Sequence, residues 1–182
     1  MMTEPIVVHV TELDTPVGQM LAAANDTHLL LFDFKHRRMI DTQLERVRRA
    51  MRCAFVSGES PVFAQLRAEL GEYFRGERAE FAVPLHVPGT AFQMRVWEAL
   101  RKIPSGTTTT YARLAESIGQ PTAIRAVARA NGDNRIAIII PCHRVIGSDG
   151  QLVGYGGGLS RKRQLLILEG RALTMPLFEP SH

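Results

Sequence analysis

Three short segments near the start of the chain, Pro5 to Val10, Gly18 to Ala23 and His28 to Phe34, are rich in Val, Leu and Phe. They are parted by turn chemistry at Asp14-Thr15-Pro16 and Asn25-Asp26. They predict a small antiparallel sheet. The period then changes: Thr42 to Arg52 and Val62 to Phe74 read as helices, the second with Phe63, Leu66, Leu70 and Phe74 at helical spacing and Gly76 as its stop. Phe81 to Pro88 is extended, and His86-Val87-Pro88-Gly89 is the best linker, so the chain divides into 1–88 and 89–182.

The second half is helical up to a continuous apolar run. Phe92, Val96 and Leu100 form one stripe with Trp97 beside it, closed by Pro104-Ser105-Gly106, and Tyr111, Leu114, Ala115 and Ile118 form another. Gly119-Gln120-Pro121 is a tight turn that sets Pro121 at the first position of the next helix. There Ala123, Ala126, Val127 and Ala130 make a third stripe, which throws Arg125 and Arg129 onto the opposite, exposed face. Two short helices joined by a glycine-containing turn, the second carrying exposed arginines, have the form of a helix-turn-helix. Ile136-Ala137-Ile138-Ile139-Ile140 predicts a strand buried on both faces and ended by Pro141. Ser160 is the expected N-cap of a last helix, with Leu165, Leu166 and Glu169 on one face and Gly170 as its stop.

Composition narrows the class. With 182 residues, 45% of them apolar, the chain can build one sizeable core or two small ones. Two cysteines, Cys53 and Cys142, and no secretory pattern over Met1 to Val10 predict reduced thiols and a cytoplasmic protein. No apolar run is long enough to span a bilayer, so no membrane partner is expected. The net charge of +4 is unevenly divided: residues 1–88 carry 10 basic and 12 acidic groups, and residues 89–182 carry 12 and 6. That asymmetry suggests a polyanion that meets only the second half, with solubility as the alternative reading.

The candidate chemistry lies in Pro141-Cys142-His143-Arg144-Val145. A nearby imidazole can take the thiol proton and leave the thiolate, the reactive form. Free cysteine is also among the most buried residue types, and Cys142 alone fits a packing role. Adjacent residues at a strand end point apart, so a bridging water or a reverse turn would be needed to join His143 to Cys142. Glu169, a carboxylate on an apolar helix face, needs a partner, and His143 is the partner that would make Cys142 reactive. Gly154-Tyr155-Gly156-Gly157-Gly158 would let backbone groups approach a flat ligand, or would form a mobile surface loop.

Taken together, these segments resemble the O6-alkylguanine-DNA alkyltransferases, most closely the methyltransferase domain of the bacterial adaptive-response proteins. The resemblance is carried by Ile140 to Ile146, Gly89-Thr90-Ala91-Phe92-Gln93 with Val96-Trp97, Ile103 to Gly106, Thr110-Tyr111, Arg125-Ala126-Val127, Gly154-Tyr155 and Leu165-Leu166 to Glu169-Gly170. It covers 89–170 specifically and the first half more loosely, through Thr15 to Gly18 and Glu72-Tyr73-Phe74. The fold it implies is a small ribonuclease-H-like α/β domain followed by a mainly helical winged helix-turn-helix domain.

The activity it implies is transfer of an alkyl group from O6-alkylguanine in duplex DNA to Cys142, which is not regenerated; repair of O4-alkylthymine is left open. His143 would act as base through a water, oriented by Glu169, and Asn134 would stabilise the turn carrying Cys142. Tyr111 would crowd the phosphate and donate toward the purine N3. Arg125 would fill the space of the flipped base, with Thr122, Ala126 and Arg129 also facing DNA. Val145 and Gly156 would contact the guanine edge through their backbones, beside Ala137, and Tyr155 would wall the alkyl pocket. No metal or cofactor is expected; the partner would be double-stranded DNA carrying alkylated bases, in the bacterial nucleoid, with room for cooperative self-association along it.

Two departures stand out. Arg135 follows Asn134 where many relatives have proline, which predicts a more flexible or more basic loop, and Gly156 stands where some carry serine, leaving acceptance of bulky alkyl groups open. Cys53 stands alone in a predicted helix, so the zinc site of some relatives' first domain is not expected. Three other classes compete: a lesion-binding relative without chemistry, which would lack the cysteine; a helix-turn-helix regulator, which needs no thiol; and a cysteine hydrolase, which needs an oxyanion hole and turnover.

Overall fold

The computed structural model describes residues 6–170. β1 (Ile6–Thr15), β2 (Gly18–Ala24) and β3 (Leu29–Phe34) form an antiparallel meander. After α1 (Ile40–Met51), β4 (Cys53–Ser57) returns parallel to β1, giving the order β3-β2-β1-β4. The sheet is therefore mixed, where an antiparallel one was expected, and Cys53 opens a strand instead of lying in a helix. Its environment is packing: with Val8, Ala23, Leu30, Leu31 and Val47 it forms the apolar cluster that seats α1 on the sheet. α2 (Pro61–Phe74) starts at Ser60, whose hydroxyl accepts from the Val62 N–H.

The second half continues with α3 (Ala91–Arg101), β5 (Thr109–Thr110), α4 (Tyr111–Ser117), α5 (Ile124–Gly132), β6 (Val145–Ile146) and α6 (Leu159–Leu168). A reciprocal Thr90–Gln93 capping box starts α3, and β5 pairs in parallel with β6. α4 and α5 are the helix-turn-helix pair, packed together against α3. A single apolar cluster runs from Met20, Phe32, Phe34, Phe63 and Leu66 into Val96, Trp97, Leu100, Ile136 and Leu165, so the two halves share one core.

Helix starts differ from the sequence expectation in two places. The Ala123 N–H bonds the Gln120 carbonyl at 2.9 Å, closing a turn that contains Pro121 and Thr122, and α5 begins only at Ile124. Its buried residues are Val127, Ala130 and Asn131, while Ala126 is exposed. For α6 the cap is Gly158, at φ +89°, and not Ser160, because the backbone ladder already begins with Lys162 N–H to Gly158 carbonyl at 3.1 Å.

The largest correction concerns the apolar run. Ile136 to Ile140 is no strand. Only Ile136 pairs, through an isolated parallel bridge to Phe32 on the outer edge of β3, and the chain then turns through Ile138 at φ +71°. Asn134 makes that turn viable: its amide Nδ2 donates to the carbonyls of Ile136 (3.3 Å) and Ile140 (2.8 Å), and its Oδ1 accepts from Ile136 N–H (3.0 Å). A side chain thus satisfies buried backbone groups that a neighbouring strand would otherwise satisfy. A β-branched residue in the left-handed region carries strain of about 1–3 kcal/mol, sustained only where the surroundings over-determine it. Here those surroundings are the Asn134 carboxamide and the β3 edge.

Candidate active site

Cys142 opens a short 3-10 turn, Cys142–Arg144, immediately after this braced loop. It is 7% exposed and lies at the wall of a cavity of about 180 Å³. Asn134 reaches it directly, donating from Nδ2 to Cys142 Sγ at 3.1 Å. Burial pushes the thiol pKa up, and the Asn134 amide opposes that shift. In the free protein the sulfur is thus held as a protected thiol.

Behind it sits a fully buried His143, whose Nε2 lies 2.8 Å from Glu169 Oε1. Burial lowers the imidazole pKa, with Glu169 pulling the other way, so the ring is neutral near neutral pH. Burial alone would raise the Glu169 carboxyl, but hydrogen bonds from His143 and Arg144 outweigh it and hold its pKa at about 2. An ionised carboxylate can only accept, so His143 Nε2 carries the proton and Nδ1 carries the free lone pair. Nδ1 is buried and has no hydrogen-bond partner among the described residues. No direct Cys142–His143 hydrogen bond is present there either, consistent with a relay through water.

Glu169 is saturated by residues that the sequence pattern did not single out for this role. Arg144 grips both carboxylate oxygens, Nε to Oε2 at 2.9 Å and Nη2 to Oε1 at 2.8 Å, and Tyr73 on α2 donates its hydroxyl to Oε1 at 2.7 Å. Lys162 is also fully buried, donating from Nζ to the carbonyls of Val145 (2.5 Å), Val153 (2.7 Å) and Gly154 (3.1 Å). Burial lowers its pKa to about 8, and its three acceptors tie the glycine-rich loop to the nucleophile turn.

Of the other expected residues, Tyr111, Asn134, Ala137, Tyr155 and Gly156 line the cavity with Cys142. Tyr111 is half-buried, and its hydroxyl makes a long 3.4 Å contact to the Val153 carbonyl. Val145 does not line the cavity: it is fully buried in β6, and its carbonyl accepts from Lys162. Arg125, Ala126 and Arg129 lie outside, along a separate open groove that also includes Thr90, Phe92 and Gln93. Thr122 is exposed in the turn before α5. Helix α5 joins the two regions, since Ala128 and Asn131 on its inner side line the cavity.

Arg135 does not loosen the loop as expected. It is 5% exposed, its guanidinium stacks 5.5 Å above the Trp97 ring centroid, and it donates to Gln43 Oε1 and to the Pro88 carbonyl. One arginine thereby ties α1, the inter-half linker and α3 together. The glycine cluster is packed against the sheet domain: a Cβ on Gly157 would lie 2.4 Å from Phe34. Among the described residues no group of three or more His, Cys, Asp or Glu is placed to hold a metal ion, and no helix is long and apolar enough to cross a membrane.

A buried cysteine backed by an imidazole–carboxylate pair, opening beside a helix-turn-helix, defines a thiol-based acceptor mounted on a nucleic-acid-binding scaffold. Comparison with known proteins places that class. Residues 8–87 match the ribonuclease-like domain of 6-O-methylguanine DNA methyltransferase, and residues 91–171 match its DNA-binding domain. The methylated-DNA--protein-cysteine methyltransferase of Mycobacterium leprae is 45% identical over 162 residues, 89% of this chain and 92% of that one. The constitutive enzyme of that name from Bacillus subtilis is 36% identical, over 86% of this chain and 92% of its own. The crystal structure of Mycobacterium tuberculosis OGT in complex with DNA superposes with a TM-score of 0.76 at 42% identity, covering 88% of this chain and 92% of that one. The chain belongs to the 6-O-methylguanine DNA methyltransferase family.

Proposed function

We propose that this protein repairs DNA by direct reversal, moving the alkyl group of O6-alkylguanine in duplex DNA onto its own Cys142 in a single turnover. The observation that carries this reading is the Cys142 cavity, with Asn134 on the sulfur and a neutral His143 held behind it by Glu169. His143 Nδ1, through a water, takes the thiol proton; the thiolate sulfur attacks the alkyl carbon as the C–O6 bond breaks, and the electron pair leaves with the guanine. The departing base takes up a proton, for which the Tyr111 hydroxyl at the cavity wall serves as phenolic donor. The chemistry is displacement at saturated carbon and needs no oxyanion hole.

A base within a duplex is out of reach, so the target must be flipped at a cost of a few kcal/mol, and weakened pairing at an alkylated guanine lowers that cost. The α5 groove, carrying exposed Arg125 and Arg129, is the surface that meets the duplex, with Thr122 and Ala126 beside them. DNA as the partner is supported by the complex formed by the Mycobacterium tuberculosis relative. The substrate of the cell would then be nucleoid DNA in the cytoplasm, with O4-alkylthymine a second lesion and copies associating along the duplex. The test is to mix the protein with duplexes carrying radiolabelled O6-methylguanine or O4-methylthymine and follow label onto the Cys142 peptide. Label that stays on DNA from both substrates overturns the reading.

A further inference from the structure

One wall of the Cys142 cavity comes from the N-terminal half, where β3 and the turn after it supply Asp33 and Arg37. Asp33 is a carboxylate in a strand of otherwise apolar, buried residues and is 1% exposed. A charge in such a place requires a partner. Arg37 is that partner, with Nη1 2.6 Å from Asp33 Oδ2 and a side chain only 9% exposed. The same guanidinium donates to the Asn134 carbonyl at 3.1 Å and to the Gly132 carbonyl, so it spans from the sheet to the end of α5 and the nucleophile loop.

Its remaining face rests on the glycine-rich loop. A Cβ built on Gly156 would stand 2.6 Å from Arg37 Cζ and 2.7 Å from Nε, so the guanidinium occupies the space a side chain at 156 would need. The Nε is buried and has no hydrogen-bond partner among the described residues, pressed as it is against a residue that has no side chain. Three anchored contacts and one tight backbone contact make this wall rigid, and the cavity it encloses, about 180 Å³, is small. Pockets that take drug-sized ligands run to roughly 300–1,000 Å³.

We propose that Arg37, braced by Asp33, sets the size of the alkyl group that Cys142 accepts. The proposal rests on the repair reading above and concerns a residue of the half of the chain that carries no nucleophile. It assigns the discrimination between small and bulky lesions to an arginine that fills the place of the absent side chain at Gly156.

The experiment compares transfer rates to Cys142 from duplexes carrying O6-methylguanine and O6-benzylguanine, in the full-length protein, and reads the benzyl-to-methyl ratio. Arg37→Ala opens the wall and should raise that ratio at least tenfold. Because this variant leaves Asp33 buried without its partner, Asp33→Asn/Arg37→Ala is measured beside it and should give the same ratio. Arg37→Lys keeps the charge opposite Asp33, and with it the fold, but cannot make all three anchoring contacts while covering Gly156; its ratio should rise about threefold. A ratio within twofold of wild type in the folded variants, or benzyl and methyl rates that fall together, overturns the proposal. Wild-type protein that takes no methyl label marks failure of the repair reading instead, and the two failures are distinguished by that arm alone.

Discussion

Asn134 Nδ2 lies 3.1 Å from Cys142 Sγ and 2.8 Å from the Ile140 carbonyl, so one carboxamide both shapes the nucleophile turn and touches the nucleophile. The two roles are read by different measurements. Asn134→Ala strands buried backbone groups at about 1–3 kcal/mol each and should lower stability by at least about 2 kcal/mol. Asn134→Asp keeps the acceptor for the Ile136 N–H but sets a carboxylate oxygen against the Ile140 carbonyl and the sulfur, so it should lower stability as well and raise the Cys142 pKa further. Denaturant titration reads the first effect, and iodoacetamide labelling of Cys142 against pH reads the second. Unchanged labelling in Asn134→Asp would remove Asn134 from the chemistry.

His143 is placed to act as base, so His143→Ala should slow alkyl transfer by roughly 10²–10⁴-fold, the usual range for a general base. Binding of a methylated duplex should change little, because the residue is buried behind Cys142. Single-turnover kinetics beside an equilibrium binding curve checks both. Parallel losses in transfer and binding would mean that the substitution damages the fold.

Acid stability follows from the same network. Glu169 is held at about 2 against a reference of 4.5, so the unfolded chain binds a proton in that window while the folded one does not. The Glu169 contribution is therefore fully present above about pH 4.5 and is lost as pH falls toward 2. His143, lowered from 6.5 by burial, acts in the same direction, costing stability as pH falls below 6.5. Glu169→Gln should flatten the acid limb of a stability-against-pH curve measured by denaturant melts. An unchanged limb would contradict the ion-pair description.

Arg125 is exposed and makes no side-chain hydrogen bond or ion pair among the described residues. Arg125→Ala should leave stability within about 0.5 kcal/mol, as for surface sites generally. Transfer from duplex DNA should slow far more than transfer from free O6-benzylguanine, since only the duplex imposes an unstacking cost. If the guanidinium also neutralises a phosphate, the slope of log affinity against log salt should become shallower by about 0.9. Equal losses with both substrates would move Arg125 out of the flipping role.

Local signals were legible wherever a period was present. β1 to β3 showed turn-bounded β-rich runs, and α2, α3 and α4 showed their stripes. β4 was missed because Cys53 to Ser57 follows α1 directly and its parallel partner, β1, is remote in sequence. The run from Ile136 to Ile140 misled because unbroken apolarity has no period, and what decides its shape is a side chain two residues before it. Asp33 did leave a trace. A carboxylate inside Leu-Leu-Leu-Phe-Asp-Phe demands a buried cation, and Arg37 stands four residues on. That both reach the Cys142 cavity depends on docking between the halves, through the Phe32–Ile136 bridge, and no local pattern encodes it.

The central claim is that Cys142 accepts the alkyl group and keeps it. A thioether is stable in water because a thiolate is a poor leaving group from saturated carbon, so the water that relays the thiol proton to His143 does not hydrolyse S-alkylcysteine. With methylated duplex in excess, repair should stop at one lesion per active molecule. Intact mass should rise by about one CH2 group, carried on the peptide containing Cys142 and absent from that containing Cys53, as expected of a covalent step with no second half. Turnover beyond one equivalent, or label on Cys53, would contradict the account.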